Sequence, residues 1–286
     1  MKKRTGGRSQ ELSWFVPLAI LLVLAILIVT VVLLRSAEER RPQPPLPAAP
    51  VSPRSERSAP DTPHDTARAA IIIDDIGWSR SLAEEVVRLE EPLTAAVLPL
   101  GETSEAIART LAASSNLEVI LHMPMEPLPP ARPFGSYCLL TRMTPEEIAR
   151  TFEQASAPYA GVIKGVNNHM GSAFTMDAQA MRAFLAELKK RGLYFVDSMT
   201  SSRSCGYALA KEMGIPAARR RIFLDNSSRP EDIAAQMQEF ARIALREKRA
   251  IAICHCRQAT IGVLREELPR LRAEGVELVP VCALLE

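Results

Sequence analysis

Beyond about Ala69, short apolar runs alternate with longer amphipathic stretches, and the rhythm continues to the C-terminus. The runs AAIII, LTAAVL, LEVIL, GVIKGV, LYFV, RIFL, AIAIC and VELVPV predict eight strands. Between them SRSLAEEVVRLE, TSEAIARTLAAS, TPEEIARTFEQA, MDAQAMRAFLAELKKR, RPEDIAAQMQEFARIALREK and TIGVLREELPRLRAE predict helices. Several of these open on a Ser, Thr or Asp able to accept from the free N–H groups of a first turn. Such alternation implies parallel strands with crossover helices, in an open doubly wound sheet or a (β/α) barrel. The length of residues 69–286 suits a slightly reduced barrel.

The pattern is different upstream. Residues Trp14 to Leu34 form 21 positions without a charge, close to the roughly 20 that a helix needs to cross hydrocarbon. The run is too long for a secretory signal core and no small-x-small cleavage site follows it, so it reads as an uncleaved anchor. Residues 1–13 carry Lys2, Lys3, Arg4 and Arg8, a slight positive-inside bias that places the N-terminus in the cytoplasm and the C-terminal domain outside the inner membrane or in the periplasm. Residues 35–68 are rich in proline and poor in large apolar side chains, and so predict a disordered, semi-rigid spacer.

Composition adds exclusions. With 286 residues, 47% of them hydrophobic, and a net charge of +2, the chain is neither disordered overall nor built to bind nucleic acid. Five cysteines are too few and too scattered for a disulfide framework. Cys254 and Cys256 flank His255, but strand alternation puts them on the opposite face, where they pack as small hydrophobes. Arg219-Arg220-Arg221 reads as a solvated corner.

The candidate chemistry lies where the apolar runs stop. AIII is followed by Asp74-Asp75, EVIL by His122, GVIKGV by Asn167-Asn168-His169, YFV by Asp197, RIFL by Asp225-Asn226 and AIAIC by His255. The carboxyl ends of parallel strands share one rim, so these side chains converge although far apart in sequence. Any one of them alone would be an ordinary turn or cap residue. Together, carboxylates and imidazoles on one rim suit a hydrolytic metal site, in which Zn2+ with about three protein ligands leaves a position for water and lowers its pKa toward 7.

The ordered set IIIDDIG, LHMPMEP, GVNNHMGS, FVDSMT, FLD and ICH resembles the divergent polysaccharide deacetylase family, a relative of the NodB-type carbohydrate esterases. The resemblance covers residues 69–286 and implies a distorted (β/α) barrel that removes acetyl groups from polysaccharide or peptidoglycan-like substrates with a divalent metal, most often zinc. It implies Asp74 as general base and Asp75 as metal ligand, followed by His122. In the NodB-type pattern a second His stands four residues on, where this chain has Glu126. The third ligand is then Glu126 or, by preference, His169, because imidazole is the commoner zinc ligand. The late Asp and His of that pattern resemble Asp197 and His255, with His255 protonating the leaving group and Asp197 orienting it. Asn167 and Asn168 stand where an Arg is expected. The departures leave open a catalytically inactive glycan- or partner-binding module on the same fold.

Overall fold

The computed structural model describes residues 66–286. The expected cytoplasmic tail (1–13), membrane anchor (14–34) and nearly all of the spacer (35–68) lie outside the described residues. Among the described residues no helix is long and apolar enough to cross a membrane.

Among the described residues nine strands and seven α-helices follow one another: β1 (Ala67–Ile76), α1 (Arg80–Val87), β2 (Leu93–Val97), α2 (Glu102–Ala112), β3 (Leu117–Met125), α3 (Pro145–Ser156), β4 (Gly165–Met170), α4 (Ala178–Arg191), β5 (Tyr194–Asp197), α5 (Gly206–Glu212), β6 (Ala217–Arg219), β7 (Ile222–Phe223), α6 (Pro230–Glu247), β8 (Arg249–His255), α7 (Gln258–Ala273) and β9 (Val276–Leu278). Local chemistry sets several boundaries. Thr144 and Glu147 form a reciprocal capping box at the start of α3, and Asp177 accepts from the N–H groups of Gln179 and Ala180 to open α4.

All strand pairs are parallel, in the order β6-β5-β4-β3-β2-β1-β8-β7, with β9 beside the start of β1. The two ends of this path, β6 and β7, are successive pieces of one segment. Its first half pairs with β5 and its second with β8, while Arg220 N–H donates to Asp197 O and Arg221 N–H to Ile251 O. The sheet is therefore curled until its edges share residues 217–223. Arg220 is half-buried at this junction, its guanidinium donating to Ser198 O (2.7 Å) and Met199 O (2.9 Å) and stacking on Phe223. The solvated corner expected for the three arginines is thus corrected at its middle member.

Alternation along the strands separates two apolar layers. Ala69, Ile71, Ile73, Leu121, Phe195, Ala252 and Cys254 pack toward the helices. Ala70, Ile72, Ala96, Ile120, Val196, Ala218, Ile251 and Ile253 fill the inside of the curl, with Val279, Val281 and Leu284. Two strand boundaries differ from expectation. Val162 and Ile163 donate to Tyr159 O to close the turn after α3, so β4 begins at Gly165 and runs through His169 instead of stopping before Asn167. The short β6 and the helix α5 carried no clear periodic signal.

Candidate metal centre

Asp74 follows Ile72 on the inner face of β1 and stands directly opposite His255 of β8 in the sheet register. A regular strand would turn Asp75 to the other face. Instead β1 bulges: Ile73 and Ile76 pair with Ala95 and Val97 of β2, one residue too many, and Asp75 adopts φ 61°. This left-handed residue brings two consecutive carboxylates to the same rim, a strained conformation of the kind found at functional sites. In the neighbouring pair the register sets His122 of β3 opposite Asn167 of β4 and Pro124 opposite His169.

Three ligand atoms meet there. Asp75 Oδ1 lies 3.3 Å from His122 Nε2 and 3.0 Å from His169 Nδ1, and those two nitrogens are 3.1 Å apart. Donor atoms bound tetrahedrally to one zinc at about 2.0–2.1 Å lie roughly 3.3 Å from one another. The triangle thus matches one face of such a polyhedron, and Asp75 Oδ1 is buried without a hydrogen bond. The donor set fits a divalent ion of the zinc type.

Asn167, fully buried, holds the next layer together. Its Oδ1 takes a hydrogen bond from His122 Nδ1 (2.7 Å), which turns the Nε2 lone pair toward Asp75. Its Nδ2 donates to Asp74 Oδ1 (2.8 Å). One amide therefore sets both the tautomer of a ligand and the orientation of a carboxylate. Burial pushes the Asp74 carboxyl up to about 6, the nearby His122 and the Asn167 hydrogen bond opposing only in part. Burial acts the same way on Asp75, but His122 and His169 outweigh it and hold that carboxyl well below the usual range. Burial disfavours charge on His122, yet Asp74 and Asp75 raise it overall; on His169 burial prevails and lowers it.

The chain carries the sequence signature of divergent polysaccharide deacetylases across residues 71–285. It belongs to the divergent polysaccharide deacetylase family. Among family relatives, the uncharacterized protein YibQ of Escherichia coli K12 is 33% identical over 226 residues, 78% of this chain and 69% of YibQ. The fold resembles that of ATU2773, an uncharacterized protein of Agrobacterium tumefaciens, with a TM-score of 0.72, 23% identity, and coverage of 79% of this chain and 92% of that one. It also resembles BA3943, described as a CE4 family pseudoenzyme from Bacillus anthracis, with a TM-score of 0.50, 11% identity, and coverage of 77% of this chain and 66% of that one.

Within this deacetylase-family rim the structure brings Asp74, Asp75, His122, His169 and His255 together, His255 Nε2 lying 3.8 Å from Asp75 Oδ2. It does not bring Glu126 or Asp197. Glu126 Oε2 accepts from the N–H (2.6 Å) and hydroxyl (2.7 Å) of Thr141, strapping the long loop after β3. The expected pairing of Asp197 with His255 is corrected. Asp197 shares the helix-facing side of β5 with Phe195, and its carboxylate accepts from Met199 N–H (2.8 Å), the Ser204 hydroxyl (2.6 Å) and Tyr207 N–H (3.0 Å). Gly206 leaves room for this, since a Cβ there would come 2.9 Å from Asp197 Oδ2.

The partner of His255 is Asp225, just beyond β7. Asp225 accepts from His255 Nδ1 (3.0 Å), from His255 N–H (2.9 Å) and from the Thr260 hydroxyl (2.8 Å). Burial would raise its carboxyl, but these donors hold it below its ordinary range. Parity could have found it. In RIFLD, Phe223 packs inside the curl while Ile222 and Leu224 pack outside, so Asp225 falls inside; in YFVD, Val196 is inside and Asp197 falls outside. Cys254 joins the helix-side core and Cys256 packs partly against it, away from His255. A cavity of about 740 Å3 lies at the amino ends of the strands, lined by Leu117, Lys164 and Tyr194 among others. No grouping of metal-ligating side chains is found there among the described residues, so the chemistry locates the candidate site at the opposite rim.

Proposed function

We propose that this chain is a metal-dependent hydrolase that removes acetyl groups from an envelope carbohydrate, held to the outer face of the inner membrane by residues 14–34. The observation that carries the catalytic reading is the coincidence, on one rim, of three donor atoms 3.0 to 3.3 Å apart with a buried carboxylate and a carboxylate-held imidazole. Asp75, His122 and His169 would hold the ion; when bound, it supplies a Lewis acid and lowers the pKa of water. Zinc is the ion that the donor set favours.

The remaining work falls to the chain itself. Asp74, with a carboxyl near 6, is ionised at neutral pH and placed to take a proton from the attacking water. Asn167 keeps that carboxylate pointed at the cluster while leaving its second oxygen free of hydrogen bonds to side chains. His255, gripped at Nδ1 by Asp225, turns Nε2 toward the cluster, where it can hand a proton to the departing amine or alkoxide. The products would be acetate and a deacetylated sugar.

The deciding experiment is metal analysis of the purified full chain together with acetate release from N-acetylated chitooligosaccharide and peptidoglycan, for wild type and Asp74→Asn. Acetate released by wild type and lost in Asp74→Asn supports hydrolysis. Bound metal without turnover supports the binding-module reading, which the pseudoenzyme among the fold neighbours keeps in view. Anchoring is tested separately by protease accessibility of the C-terminal domain in spheroplasts, where protection would overturn the proposed topology.

A further inference from the structure

Four large hydrophobic side chains are exposed among the described residues: Trp78, Leu128, Met170 and Leu245. Three of them lie at or just after the carboxyl ends of the strands carrying the candidate centre. Trp78 lies just after Asp75, Met170 follows His169, and Leu128 sits in the loop after β3, its N–H donating to the Ser172 hydroxyl (2.8 Å) beyond β4. Exposed apolar groups gathered at one place on a folded domain mark a binding surface more often than groups scattered singly.

The aromatic members are connected to the cluster. His122 and His169 meet edge to face with ring centroids 4.9 Å apart, His169 meets Phe134 at 4.8 Å, and Phe134 meets Trp78 at 6.1 Å and 76°. Four rings thus run from the buried ligands to an indole that is 65% exposed. Its backbone is well fixed. Gly77 has φ +140°, and a Cβ there would stand 3.1 Å from Ser104 Cβ and 3.2 Å from Leu100 Cδ1; on the other side Ser79 caps α1. The contact with Phe134 is edge to face and leaves most of the indole exposed to solvent, so this costly exposure is held in place by the fold.

We propose that Trp78, backed by Phe134, is a stacking platform for a pyranose ring adjacent to the acetylated sugar, so that the site takes a glycan chain and not a lone acetylated monosaccharide. This inference rests on the deacetylase reading for the chemistry at the cluster. A sugar ring combines an apolar C–H face, which suits an indole, with hydroxyls and an acetyl group that suit the carboxylates and imidazoles one ring away. A lipid surface would match the indole but not those buried polar groups.

The sequence contains two tryptophans, so Trp14→Phe in the full chain leaves Trp78 as the sole indole. In that background, titration with a soluble N-acetylated chitooligosaccharide is expected to quench or shift the emission saturably. Trp78→Ala is expected to raise KM for the oligosaccharide roughly tenfold, and Trp78→Phe is expected to restore most of the KM. Unchanged emission at saturating oligosaccharide, or an unchanged KM in Trp78→Ala, overturns the platform. So does emission that responds to transfer into anionic lipid nanodiscs but not to oligosaccharide. If no acetate is released from any substrate and the emission still responds to oligosaccharide, the deacetylase reading fails and the platform stands.

Discussion

Replacing Asp225 by Asn removes one charge from a fully buried position while preserving its shape. Three donors converge on that carboxylate: the ring and backbone nitrogens of His255 at 3.0 and 2.9 Å and the Thr260 hydroxyl at 2.8 Å. An amide accepts through one oxygen only, so at least one donor would face an N–H2 group. When His255 acts as acid it carries a charge that Asp225 opposes, and a hydrogen bond of that charged kind is worth about 1.5–3 kcal/mol. At about 1.4 kcal/mol per tenfold, Asp225→Asn should lower kcat for acetate release by roughly one to two orders of magnitude. Metal content should stay unchanged, because Asp225 contacts none of the three candidate ligands. Asp197→Asn is the matched control. It also disturbs a buried, triply bonded carboxylate and should lower thermal stability, yet kcat per folded, metal-loaded molecule should stay within about threefold of wild type. Steady-state kinetics on samples of known metal content, with melting curves alongside, make the comparison. If Asp197→Asn abolished turnover while Asp225→Asn left it intact, the assignment of the His255 partner would be wrong.

Other outcomes follow from the same geometry. Asp75→Asn, His122→Ala and His169→Ala should each lose bound metal on elemental analysis, whereas Glu126→Ala should retain it and instead make the loop anchored through Thr141 more susceptible to protease. Asn167→Leu should weaken metal affinity by about 10–100-fold through the freed His122 ring, read by competition with a chromogenic chelator; unchanged affinity would remove its positioning role. The depressed carboxyl of Asp225 stabilises the fold most above the ordinary Asp value of about 4, and that contribution disappears as pH falls through its lower folded value. The Tm difference between wild type and Asp225→Asn should therefore be largest above about pH 5 and shrink toward acid; a gap that widens on acidification contradicts the sign. Gly165→Ala would set a Cβ 2.3 to 2.5 Å from the Tyr194 ring and should cost about 1–3 kcal/mol in denaturant unfolding.

Much of this molecule is legible in its sequence. Apolar runs of strand length alternating with capped amphipathic stretches required parallel strands and crossover helices. Chemistry-bearing residues at the close of those runs had to gather on one rim. The family motifs are short linear strings, so Asp74, Asp75, His122, His169 and His255 could be read from them. One further fact depends on parity, which the sequence contains but which needs an origin. Whether Asp197 or Asp225 faces His255 turns on one residue of phase, and only packing against the helices or inside the curl sets that phase.

The remainder was decided by tertiary structure because it rests on registers between strands far apart in the chain. Nothing local in IIIDDIG requires the bulge that turns Asp75 to the same side as Asp74. It shows as a mismatch between β1 and β2 once both are paired. Asn167 became a bridge because β4 starts at Gly165 and sets that amide opposite His122. Glu126, four residues from His122 and plausible by spacing, was taken by Thr141 across a loop. Sequence determined which groups were present and roughly where; which of them touch was settled by long-range pairing, for which local spacing carries no information.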